Sequence, residues 1–143
     1  MISMRVNGDP VPQPRPRVAV RGRHATAYVP ARHPVHAWRA DVRELAQWAM
    51  EQKWLLMAPR AMPLSVELVF ELRRPKSNKT RIPVGRPDLD NLAKAVLDAC
   101  EGVIWANDSQ ISHLSVSKRW GDNPGVVIHV AQSRGDDFQG EDI

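Results

Sequence analysis

The stretch Arg86-Pro87-Asp88-Leu89-Asp90-Asn91-Leu92-Ala93-Lys94 carries the densest chemistry in the chain. Asp88 and Asp90 lie two apart where an extended approach gives way to a helical pattern, so their carboxylates can converge on one point. Paired carboxylate oxygens are what a hard divalent cation such as Mg²⁺ takes, together with water and substrate phosphate. Lys94 follows Asp90 by one helical turn and projects toward the same place. Asn91 and Asp98 line that polar face as well. A third carboxylate, Asp108, falls in the turn Ala106-Asn107-Asp108-Ser109 after the apolar Val103-Ile104-Trp105. The same residues also have a plain structural reading. Asp88 can serve as a helix N-cap, Asp90–Lys94 as a surface ion pair, Asp98 as a structural group and Asp108 as a turn residue.

The elements that must position these groups follow from periodicity. Leu89, Leu92, Ala93, Val96, Leu97 and Cys100 predict a helix over 89–100, which Gly102 ends. Val35, Trp38, Val42, Leu45, Ala46 and Ala49 predict another over 35–53, with Pro34 in its first turn. Residues 64–72 alternate apolar and polar, as a half-buried strand does. Residues 2–7, 110–119 and 125–131 read as further strands, and the turn Gly121–Gly125 predicts that the last two form a hairpin. Prolines at 10, 12, 14 and 16 keep that stretch extended. Val18–Val20 and Thr26–Val29 flank Arg21-Gly22-Arg23, a hairpin with a basic tip. Residues 73–86 form a loop. Intermingled strands and helices make the fold class α+β: a small single domain with a mixed β-sheet and two main helices. The expected domain spans 1–132, and 133–143 is expected to be a disordered acidic tail.

Charge is unevenly spread. Of 143 residues, 15 are Arg and 5 Lys, for a net charge of +4. Residues 1–32 hold six arginines against Asp9, whereas residues 134–143 hold Asp136, Asp137, Glu141 and Asp142 against Arg134. Arg73, Arg74, Lys76, Lys79, Arg81 and Arg86 crowd the 73–86 loop without an acid. The planar guanidinium fork matches phosphate oxygens, so two basic segments point to a polyanion, nucleic acid foremost. An arginine-favouring codon bias with solvated loops accounts for the composition equally well. The lone Cys100 excludes an internal disulfide and a multi-cysteine zinc site. No apolar run reaches the ~20 residues of a membrane span, and no signal-peptide core is present, so the expected setting is cytoplasmic, with no membrane partner. None of the five histidines has ligand spacing.

Taken together, Asp-Leu-Asp-Asn-Leu-x-Lys, a helix ending in Leu-Asp-Ala, and Gly-Val-Ile-Trp-x-x-Asp-Ser-Gln closely resemble the RusA family of Holliday junction resolvases. The opening Val6–Arg17 resembles that of phage-type members. The resemblance implies a homodimeric endodeoxyribonuclease that cuts four-way branched DNA in recombination and repair, with Mg²⁺ or, in its place, Mn²⁺. It implies a metal set of Asp88, Asp90 and Asp108, with Lys94 needed for cleavage and Asn91 near the site. Metal-bound water would attack the phosphate in line and leave a 5′-phosphate, with Lys94 countering the developing charge. Arg15, Arg17, Arg73, Arg74, Lys76, Lys79, Arg81 and Arg86 would hold DNA phosphates. One departure stands out: many members carry two acids before the Ser-Gln pair, and here Asn107 replaces the first. Apolar residues around 48–57 belong either to the dimer interface or to the core. Other readings are a non-catalytic branched-DNA-binding protein, a flap or fork nuclease, and a Mn²⁺-dependent nucleotide-sugar transferase. Against the last, the chain is short and has no Gly-rich phosphate loop.

Overall fold

Strict alternation in Leu64–Leu72 (β4) turns Leu64, Val66, Leu68, Phe70 and Leu72 to one side, and all five are buried there. β4 sits inside a four-stranded sheet with β1 (Ile2–Asn7), β5 (Ile111–Trp120) and β6 (Gly125–Gln132), in the order β1-β6-β4-β5. β4 and β5 run parallel, and the other pairs are antiparallel, which makes the sheet mixed. The computed structural model describes residues 1–135.

The predicted hairpin of the last two strands does not form. β4 lies between β5 and β6, pairing Leu68 with Val116 on one side and with Ile128 on the other. The 121–124 turn arches over the end of β4, and the Gly121 N–H donates to the Leu72 carbonyl at 3.0 Å. Gly121 is required there because a Cβ would overlap the Glu71 side chain. The turn residues specify a reversal of direction. The apolar alternation of β4 puts it at the centre, where both of its edges are paired.

Two helices cover one face of this sheet. α1 (Val35–Gln52) buries Val35, Trp38, Val42, Ala46, Ala49 and Met50, and α2 (Leu89–Cys100) buries Leu92, Ala93, Ala95, Val96, Ala99 and Cys100. They meet the inward side chains of β1, β4 and β6 in one core, closed by Ile104 and Trp105. At ~25 cal/mol per Å² of apolar surface, each fully buried Leu or Val contributes ~1.5–3 kcal/mol. The opposite sheet face is polar and carries Ser3, Glu67 and His129, with Ser3 Oγ 2.6 Å from His129 Nδ1. Of the apolar residues around 48–57, read from sequence as interface or core, Met50 is buried in the core and Leu55 packs against it, while Trp48, Trp54, Leu56 and Met57 remain exposed. No described helix is long and apolar enough to cross a membrane.

β2 (Arg17–Arg21) and β3 (His24–Tyr28) form a separate two-stranded sheet around Gly22, whose φ of +62° suits the tight turn. The predicted tail falls mostly on residues 136–143, outside the described residues. Ser133 is packed in, with its N–H donating to the Pro63 carbonyl at 2.9 Å.

Candidate active site

The chain enters α2 in extended form, and Arg86–Pro87 is a cis peptide. Asp88 occupies the N-cap position with φ −69° and ψ 140°, yet its side chain makes no capping hydrogen bond. The N-cap role predicted for that carboxylate is therefore not used. Asp88 instead lines a cavity of about 750 Å³ with Gln13, Arg15, Arg86 and Asn91, walled by Pro10, Pro12, Pro14 and Pro87. The Pro-rich segment is tied to the helix by the Gln13 N–H donating to the Asn91 carbonyl at 2.9 Å. Four of the residues singled out from sequence thus share one cavity.

Asp90 and Lys94 face a different groove, of about 580 Å³, bounded by Leu89, Ala93, Leu97, Leu114 and Val116. Helical spacing accounts for the division, since 88 and 91 share one side of α2 while 90, 93, 94 and 97 share another. Lys94 does not pair with Asp90. Its ammonium donates to Asp98 Oδ1 at 2.6 Å. That hydrogen bond is the main reason its pKa is raised, with the charges of Asp98, Asp108 and Glu101 adding to it against a desolvation penalty. The bonded partner of Lys94 is thus Asp98, one turn further along α2, and Asp108 and Glu101 act on it through their charge alone.

Asp108 opens a single 3₁₀ turn, Asp108–Gln110. Its Oδ1 accepts from the buried Trp105 indole N–H at 2.7 Å, and its backbone N–H donates to Glu101 Oε2 at 2.9 Å. Burial pushes the Asp108 carboxyl up, the Trp105 hydrogen bond opposes this, and the charges of Glu101 and Asp98 push it up further. Asn107 Oδ1 accepts from the Ser109 N–H at 2.9 Å and caps the turn. An aspartate would supply the same oxygen, so Asn107 keeps the cap and removes one charge beside Asp108. Gln110 fixes the turn from below. Its Oε1 accepts from the N–H groups of Ala106 and Asn107, and its Nε2 donates to the carbonyls of Pro59 and Met62.

Sequence reasoning missed Glu101 and Trp105. The only signal for Trp105 was that a buried indole N–H needs an acceptor, and Asp108 lies three residues on. Nothing local marks Glu101, which the 102–107 loop folds back onto Asp108. Burial pushes the Cys100 thiol up to about 12, which leaves it a core residue and no nucleophile.

The structure thus pairs Lys94 with Asp98 and Asp108 with Glu101, and separately sets Arg15, Arg86, Asp88 and Asn91 around one cavity. It does not join Asp88 and Asp90 to Asp108. Among the described residues, no group of three or more His, Cys, Asp or Glu stands close enough to hold a metal ion. Of the loop cations, Arg74 Nε donates to the Asn78 carbonyl at 3.0 Å, and Arg73, Lys76, Lys79 and Arg81 are exposed.

Residues 7–131 match the family described as Endodeoxyribonuclease RusA, and the chain belongs to that family. It is also similar to the uncharacterized protein YqaN of Bacillus subtilis (strain 168). The two are 27% identical over 139 residues, covering 92% of this chain and 96% of the relative.

Proposed function

We propose that this RusA-family chain is an endodeoxyribonuclease that resolves four-way DNA junctions by paired symmetric incisions, acting as a homodimer with Mg²⁺ or Mn²⁺. The observation that carries the reading is the match of residues 7–131 to the RusA endodeoxyribonuclease family, and the negative charge of Asp108, from the turn motif, is felt at Lys94, from the helix motif.

Asp88, Asp90 and Asp108 are the catalytic carboxylates of this reading, and their hard oxygen donors suit Mg²⁺. The described residues of one chain do not gather these three into a metal site, so the metal dependence rests on family membership and donor type. Lys94 exchanges its Asp98 partner for a phosphate oxygen and offsets charge developing on the phosphate. Arg15, Arg86 and Asn91 meet the DNA backbone at the α2 cavity, and Arg17, Arg73, Arg74, Lys76, Lys79 and Arg81 extend that contact. A four-way junction has two-fold symmetry, which a C2 dimer can match. The exposed Trp48, Trp54, Leu56 and Met57 supply apolar surface for such an interface.

The test is cleavage of a panel of four-way junctions, forks, flaps and duplexes, with Mg²⁺ and with EDTA. Symmetric nicks in the junction are expected with Mg²⁺ only. They should vanish in Asp88→Asn, Asp90→Asn and Asp108→Asn while junction binding persists. Full cleavage by Asp108→Asn would overturn the assignment, and preference for forks or flaps would change the substrate.

A further inference from the structure

We propose that the β2–β3 ribbon is a groove-entering arm, which inserts into a groove of duplex DNA and holds it by its arginine tip. The proposal rests on the nuclease reading above and concerns how that substrate is held.

The ribbon makes little use of the rest of the chain. All of its residues are exposed apart from a half-buried Ala19, and Val18 and Val20 are 65% and 69% exposed. A two-stranded hairpin is at best marginally stable alone in water, so such an arm is expected to be covered when it works. The register separates two faces. Arg17 opposite Tyr28, Ala19 opposite Thr26 and Arg21 opposite His24 make a polar, cationic face. Val18 opposite Ala27 and Val20 opposite Ala25 make a small aliphatic one.

Charge selects the occupant. No acid occurs between Asp9 and Asp41, whereas Arg15, Arg17, Arg21, Arg23 and Arg32 fall within that span. A second copy of the ribbon stacked on this one would set like charges together, and a polyanion would not. Shape agrees with charge. Five residues per strand make an arm of roughly 17 Å, two strands wide, and a B-DNA major groove about 12 Å across admits a two-stranded ribbon. The aliphatic face then lies on the base edges, and the arginines reach the phosphate rims. Position agrees too, because β2 begins two residues after Arg15, which lines the cavity holding Arg86, Asp88 and Asn91. Duplex gripped by the arm continues directly onto the acid-bearing end of α2.

The experiment compares the full chain with Arg21→Ala/Arg23→Ala and with Val18→Ser/Val20→Ser, in salt-titrated binding to a four-way junction and in trypsin digestion with and without it. The tip variant should lower the slope of log K against log salt by about 2, and its affinity gap from wild type should widen about tenfold between 200 and 50 mM salt. The valine variant should weaken binding with the slope unchanged. Junction should protect the bonds after Arg21 and Arg23 in the wild type. Thermal midpoints of both variants should match wild type, since the arm adds nothing to the core. Wild-type affinity and slope in the tip variant, or cleavage after Arg21 undiminished by bound junction, would overturn the arm. Failure of the wild type to bind any DNA would instead overturn the nuclease reading beneath it.

Discussion

Replacing Gln110 by glutamate should unfasten the turn that presents Asp108, and should do so in a pH-dependent way. The Gln110 side chain is 8% exposed and makes four hydrogen bonds, accepting from Ala106 and Asn107 N–H at 2.9 and 3.0 Å and donating to the Pro59 and Met62 carbonyls at 2.9 Å each. Two donors and two filled acceptor positions complete this pattern and fix the orientation of the amide. In Gln110→Glu the accepted pair survives. The donated pair is lost, and a carboxylate oxygen then faces two carbonyl oxygens. Leaving a buried acceptor unsatisfied costs about 1–3 kcal/mol, so the pair is worth about 4 kcal/mol, or a fall in Tm of roughly 10–15 °C for a domain of this size. A protonated carboxyl restores one donated bond, and burial also favours the neutral form. The folded-state pKa of the introduced carboxyl is therefore raised above its unfolded value. For an acid shifted that way the folded state binds more protons, and stability falls as pH rises. The deficit should be smallest below about pH 4, where an unfolded glutamate is also protonated. It should grow with pH until the folded-state pKa is passed. Thermal and urea denaturation of wild type, Gln110→Glu and Gln110→Met between pH 4 and 8 measure this. The methionine variant loses all four bonds and should show a deficit independent of pH. A Gln110→Glu protein within 2 °C of wild type at neutral pH, or one whose deficit is flat with pH, would refute the reasoning.

The neighbours of Asp108 make an opposed pair of predictions. Glu101→Gln should lower the Asp108 titration midpoint by removing a nearby negative charge, and Trp105→Phe should raise it by removing the indole donor, both followed by carboxyl ¹³C NMR in metal-free protein. Gly121→Ala should cost about 1–3 kcal/mol in urea denaturation, because the new methyl meets a Glu71 side chain already held by Arg5 at 2.9 Å.

The parts of the fold that sequence made legible are those with local periodicity. The alternation of 64–72, the apolar stripe of 89–100 and that of 35–53 each fix an element and its buried face, and the observed helices and strand agree closely with them. Pairing of β5 with β6 was misread because turn chemistry describes only the connection, and the strand that separates the two lies some 40 residues earlier in the chain. The partner of Lys94 was ambiguous for another reason. An acid stands one turn before it and one turn after, and spacing treats them alike. Asp90 lies in the first turn, where the helix N-terminus already favours its negative charge; Asp98 has no such support and takes the lysine. Asp108 was legible as a type and a position. Its surroundings, Glu101 and Trp105, were not, because they are assembled by closure of the 102–107 loop.

The basic loop between β4 and α2 gains a meaning from the edge strand that its charge alone does not convey. Lys118 on β5 donates to the Gly85 and Pro87 carbonyls at 2.7 and 3.0 Å, and the Trp120 indole N–H donates to the Thr80 carbonyl at 3.1 Å. The segment that holds Arg81 and Arg86 is therefore pinned at three carbonyls, and Asp88 follows the last of them directly. An unpinned polybasic loop would lose conformational entropy on meeting a phosphate chain, whereas a pinned one has already lost part of it. Lys118 is thus a cation spent on positioning, and adding it to a phosphate-binding count would overstate that count. The same distinction separates Lys94, paired with Asp98, and Arg74, which donates to the Asn78 carbonyl, from the exposed Arg73 and Arg81. A net charge of +4 cannot express the difference between cations that hold the chain and cations that wait for a ligand.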